Sequence, residues 1–156
     1  MKRCLVPLLL ALGLCVPATS HAAQRCRLEV QGVSFGDYMP GAQAPVDSAA
    51  FLSVRCVGNP PGPFVVKIGP GLSGDPGQRT MQSGAETLFY NLFVDGARTR
   101  IWGDGTGGTE SVVVEPGPAR DGRPRQTELS VYGRIPAGQD PTPGAYSDTI
   151  IVTVEF

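Results

Sequence analysis

Apolar residues recur at every second position in short runs along this chain, and clusters of Gly, Pro, Asp and Asn separate the runs. No window sustains a helical period, so the pattern predicts an all-β protein. The last run shows it most clearly: Ile150, Val152, Val154 and Phe156 fall on one face, and Thr149, Ile151, Thr153 and Glu155 on the other. The last strand is expected over 146–156 and further strands at 28–33, 50–57, 64–68, 88–95 and 128–135, with shorter pieces at 79–81 and 112–115. Leu52, Val54 and Cys56 share one face of their run, and Phe64, Val66 and Ile68 share one face of the next. In 88–95, Leu88, Tyr90, Leu92 and Val94 oppose Phe89 and Phe93; burial on both faces would put this strand near a sheet centre or beneath a loop. Breaks are expected at 59–63 and 117–126. Seven or so strands at this spacing predict a two-sheet sandwich, with no internal repeat and no second domain. The chain stops on its most hydrophobic strand. Such an edge is expected to be covered or paired by another segment, because a bare apolar edge invites aggregation. This favours assembly over catalysis.

Composition adds a compartment. Lys2 and Arg3, an apolar stretch over 5–16 and the small-residue site at Ser20-His21-Ala22 read as a secretory signal over 1–22, leaving a single domain over 23–156. The apolar stretch is too short for a transmembrane helix. Cys15 follows Leu14, where a lipobox needs a small residue, so lipidation is not expected. Cys4 and Cys15 leave with the signal, and an exported pair, Cys26 and Cys56, is most simply a disulfide. Closing a loop of about 30 residues contributes on the order of 3 to 4 kcal/mol in the chain-entropy model. Loss of Lys2 and Arg3 leaves eleven basic against fourteen acidic residues, a net charge of −3 that disfavours nucleic-acid partners.

The single histidine, His21, also lies in the signal, so the mature chain has no imidazole for a general base, a nucleophilic triad or a zinc site. No metal, cofactor or catalytic residue is expected. Asp37, Asp47, Asp95, Asp104, Glu110 and Asp148 are the candidates for a carboxylate pair. Each sits beside Gly or Ser in a turn-like setting, where local backbone hydrogen bonding accounts for it. Trp102-Gly103-Asp104-Gly105 lacks the alternating ligands of a calcium loop and reads as a tight turn below a buried Trp. Arg98, Arg100, Arg120, Arg123 and Arg125 are either an anion-binding face or a solvated loop. A separate, adhesive reading places Phe64, Trp102 and Tyr146 at the surface, in contact with a host or abiotic substrate.

Several motifs spread along the chain carry a family resemblance. They are Cys26; Phe35-Gly36-Asp37-Tyr38-Met39-Pro40; Val54 and Cys56; Arg79 and Met81; and Leu88 with Tyr90-Asn91-Leu92. They continue with Trp102 through Thr109, Val131 through Gln139, and Gly144-Ala145-Tyr146-Ser147-Asp148-Thr149. On these residues the chain resembles the spore coat protein U domain family, the pilin-like subunits of Csu-type archaic chaperone-usher pili. The resemblance implies an immunoglobulin-like sandwich lacking its last strand, with Ile150, Val152, Val154 and Phe156 forming part of a strand-acceptor groove. It implies as partners a periplasmic pilus chaperone, an outer-membrane usher and a neighbouring subunit that donates a strand, with passage through the periplasm to a pilus at the cell surface. Only Ala23, Gln24 and Arg25 stand between the signal and Cys26, too few for a donor segment, so a tip or terminating position is expected. The alternatives are an adhesive module and a self-complete secreted sandwich of a coat or matrix.

Overall fold

Strands form where the alternating runs stand, and antiparallel pairing extends several of them beyond their apolar cores. The computed structural model describes residues 25–57, 62–115 and 124–156. Among these, the strands are β1 (Arg25–Val30), β2 (Val46–Val57), β3 (Phe64–Ile68), β4 (Arg79–Ser83), β5 (Glu86–Phe93), β6 (Val112–Val114), β7 (Arg125–Ile135) and β8 (Val152–Glu155). One sheet has the order β1-β2-β7-β5-β4 and the other β6-β3-β8. Every pairing between named strands is antiparallel. The signal at 1–22, residues 59–61 of the first expected break and most of the 117–126 loop lie outside the described residues.

The inward faces meet as the alternation requires. Leu52, Val54 and Cys56 of β2, Leu88, Tyr90 and Leu92 of β5, and Val131 and Ile135 of β7 pack against Phe64, Val66 and Ile68 of β3. Outer positions follow the opposite parity: Phe51 and Phe89 are about half exposed. Burial of both β5 faces is therefore not what the fold adopts at Phe89, because that side of the sheet faces solvent.

Three boundaries differ from expectation. β1 ends at Val30 and does not reach Val33, because the chain turns inward and packs Val33 and Phe35 against the core. The Phe35 ring meets Tyr90 edge-on, with centroids 5.8 Å apart, and lies over Gly133, where a Cβ would stand 2.7 Å from the ring. β7 begins at Arg125, inside the predicted 117–126 loop, because it pairs with β2 from Val46↔Ile135 to Cys56↔Arg125. The last strand is shorter than 146–156. Residues 146–151 instead cross from one sheet to the other, touching β4 through a bridge between Ser147 and Gln82.

Arg79 joins the two layers. Its fully buried guanidinium donates to the carbonyls of Ile68, Gly69, Pro76 and Trp102 and to the Asn91 side chain, at 2.7 to 3.1 Å. None of these partners is a carboxylate. Burial pulls the guanidinium below its ordinary pKa, while Tyr90 and Asp148 oppose the shift. The dense set of carbonyl acceptors makes a buried cation tolerable here.

An open cleft between two sheet edges

Among the described residues, β8 pairs only with β3 and β1 only with β2, so each sheet ends in an edge strand. Between these edges lies a cleft of about 310 Å³. Val30 and Val33 line its β1 side, Ile150 and Val152 its β8 side, and Leu52 and Leu92 contribute to its floor. Ile150, Val152 and Val154 are half-buried against the core, while Phe156 remains 61% exposed, with its ring 5.6 Å from that of Phe64. The wall is apolar yet unsealed.

Backbone polarity points the same way. The Gly69 N–H donates to the Ile151 carbonyl at 2.8 Å, continuing the β3–β8 ladder. Antiparallel alternation then directs the groups of Ile151, Thr153 and Glu155 towards β3 and those of Val152 and Val154 towards the open edge. Val152 thus offers its side chain to the cleft, and Val152 and Val154 each offer a main-chain donor and acceptor at the open edge. Four residues at roughly 3.3 Å each give an edge of about 13 Å, enough to pair a short extended segment. An arrangement of this kind can bind a strand by main-chain hydrogen bonds and alternate side chains.

Cys26 and Cys56 stand directly opposite in the β1–β2 register, with Cα atoms 4.1 Å apart, and form a disulfide. The bond fastens β1, one wall of the cleft, to the sheet.

Two of the three aromatic residues expected at the surface are core residues. Phe64 is 2% exposed and Trp102 is 1% exposed. Phe64 shares the inward parity of Val66 and Ile68. Trp102 is held by its Nε1–H, which donates to the Val66 carbonyl at 3.1 Å, beneath the 103–109 turn. Tyr146 is half-buried on the cleft wall, and its hydroxyl donates to the Thr142 carbonyl at 2.9 Å. Besides Phe156, Phe51 and Phe89 are exposed aromatic residues among those described, both marked by standing out of phase with the buried residues of their strands.

Asp47, Asp95, Asp104, Glu110 and Asp148 are engaged with separate partners. Asp47 holds Arg134 through two bonds of 2.7 and 2.8 Å and lies 3.3 Å from Arg98. The Arg134 hydrogen bonds, with the nearby charge of Arg98, hold its carboxyl below the usual value despite some opposing desolvation. Asp95 accepts from the backbone of Thr99 and Arg100, and Asp104 from the backbone and hydroxyl of Thr106. Arg100 pairs with Glu110 at 3.1 Å, so Arg98 and Arg100 both have acidic partners. Among the described residues, no group of three or more His, Cys, Asp or Glu side chains is placed to hold a metal ion.

Asp148 is the site residue whose role was not evident from sequence. Its carboxylate accepts from the Leu72 N–H at 2.9 Å, the Thr149 N–H at 2.7 Å and the Tyr90 hydroxyl at 2.7 Å, at one end of the cleft. Burial, reinforced by that carboxylate and only partly opposed by Arg79, pushes the Tyr90 hydroxyl far above its ordinary pKa, so it remains a proton donor.

An immunoglobulin-like two-sheet sandwich with one disulfide and an unsealed cleft between its edge strands defines the class of protein. The chain belongs to the Spore Coat Protein U domain family, which it matches over residues 14–153. It is 32% identical over 100 residues to Protein U of Myxococcus xanthus, covering 59% of this chain and 51% of that protein. Its structure resembles a chain of the CsuC-CsuE chaperone-tip adhesion subunit pre-assembly complex, from archaic chaperone-usher Csu pili of Acinetobacter baumannii. The TM-score is 0.58 at 28% identity, over 86% of this chain and 40% of that one. The chain thus spans about half the length of the curated relative and less of the structural one.

Proposed function

We propose that this protein is an exported structural subunit of a surface pilus assembled by the chaperone-usher route, and that the cleft between β1 and β8 accepts a strand from another chain. The observation that carries the reading is the half-exposed row of Ile150, Val152 and Val154 beside an open main-chain edge. A self-complete sandwich would bury that row. In the periplasm the strand comes from a pilus chaperone; after passage through an outer-membrane usher it comes from a neighbouring subunit at the cell surface. The structural relative belongs to a chaperone-tip adhesion subunit complex, which supports a place at the pilus tip. Co-expression with and without the cognate chaperone in an oxidising periplasm tests the reading by size-exclusion chromatography. Recovery as a one-to-one chaperone complex is expected, with the chain aggregating or being degraded when alone. A stable monomer at full yield without chaperone would favour the self-complete sandwich.

A second role, adhesion, is compatible with that place and is favoured by the exposure of Phe51 and Phe89 on the outer face of the larger sheet. Phe51→Ala with Phe89→Ala should weaken attachment of the assembled subunit to an apolar surface while leaving its melting temperature unchanged. Unaltered attachment would remove these residues from the reading.

A further inference from the structure

The geometry points to Asp148 as a positioning residue that holds the β8 wall in place before any strand arrives, an inference that rests on the strand-accepting reading above. Residues 146–151 leave the edge of the five-stranded sheet at the Ser147–Gln82 bridge and reach the three-stranded sheet where the Ile151 carbonyl accepts from Gly69. Asp148 stands at this crossing. Its carboxylate gathers three donors from separate places: the Leu72 N–H in the 3-10 turn Gly71–Ser73, the Tyr90 hydroxyl on β5, and the N–H of Thr149 in its own segment.

The seat is shaped for the carboxylate. Gly71 has φ +69°, and a Cβ there would collide with the Asp148 side chain. Tyr90 is 6% exposed and stays protonated, so its donor role persists across the ordinary pH range. Arg79 adds a nearby positive charge without hydrogen-bonding the carboxylate, since its N–H groups are directed to carbonyls and Asn91. The first inward residue of the wall, Ile150, follows two positions later. Asp148 therefore ties the start of the wall to the floor of the cleft and to the turn that connects β3 with β4. A wall ordered in advance lowers the entropy that strand capture must offset. Once a strand is paired along β8, its own main-chain bonds hold the wall and the latch matters less.

The test compares the oxidised wild-type chain with Tyr90→Phe, which removes one donor and keeps the ring, and with Asp148→Ala. Amide hydrogen exchange is read at Thr153 and Glu155, which face β3, and at Leu52 and Val131 in the core. Capture of a synthetic ten-residue peptide alternating Thr and Val is timed in parallel. In Tyr90→Phe the β8 amides should exchange about tenfold faster while core amides stay within about twofold, the signature of local opening. Asp148→Ala should enlarge that difference, and peptide capture should slow in the same order. Uniform acceleration at all four amides, or none at β8, would overturn the positioning role. Selective opening with unchanged capture would overturn the link between the latch and strand entry. A wild-type chain that captures the peptide nowhere along β8 would count against the strand-accepting reading and that link, while the exchange data would still decide whether Asp148 holds the wall.

Discussion

Asp47 shows how a single exposed carboxylate contributes here. Its two bonds to Arg134 tie β2 to β7 on the outer face, at the directly paired positions Asp47↔Arg134. Because the folded carboxyl titrates below its ordinary value of 3.8, the folded state binds fewer protons than the unfolded chain in that range. The stability it provides is present above that ordinary value and is lost as pH falls through the lower, folded one. The side chain is about a third exposed, so the effect is modest. Thermal melts of wild type and Asp47→Asn should differ near neutrality and converge at strongly acid pH; a constant difference would contradict the assignment. Trp102→Ala removes a 1% exposed ring and the donor to Val66, and should cost about 3–5 kcal/mol in denaturant unfolding. A loss below about 1 kcal/mol would show that the site is not a packed core. The parity of Phe64 with Val66 and Ile68 made its burial legible in the sequence. Burial of Arg79 was not, because its carbonyl partners come from three separate stretches of the chain, at Ile68-Gly69, Pro76 and Trp102, and no local pattern announces them. Asp148 was hidden for the same reason: Tyr90 and Leu72 stand 58 and 76 residues away.

At the scale of the strand, alternation alone located β3 and the inward faces of β2 and β5. Their ends were less legible. Arg125–Thr127 is polar and carries no strand signal of its own, yet it extends β7 because β2 supplies a partner through Cys56. Val33 and Phe35 keep the apolar alternation but leave the sheet to pack against the core. Among the described residues β1 has only one neighbouring strand, and the disulfide is its covalent link to it. Reduction, or Cys26→Ser with Cys56→Ser, should lower stability by about 3 to 4 kcal/mol in the chain-entropy model. It should also release β1 first, so proteolysis after Arg25 or Arg27 should precede cleavage within β2. Simultaneous cleavage of both strands would show that the bond stabilises the sandwich without specifically holding the cleft wall.

For the whole molecule, the sandwich was legible because strand spacing, turn composition and one exported cysteine pair agree on it. The cleft was only half legible: the final run marks the β8 wall, but the opposing β1 edge and the floor depend on how two sheets stack, which sequence parity does not encode. In the proposed reading, function resides in that incompleteness. An edge whose inward residues are half-buried, and whose main chain faces outward at the same positions, is suited to receive a strand from elsewhere. The most direct test is amide hydrogen exchange at Val152 and Val154, compared between the isolated chain and its one-to-one complex with the cognate chaperone. Fast exchange in the isolated chain, falling in the complex to the rates of Thr153 and Glu155, is the predicted result. Val152 and Val154 amides that exchange equally fast in both states would contradict it and place the chaperone contact elsewhere on the molecule.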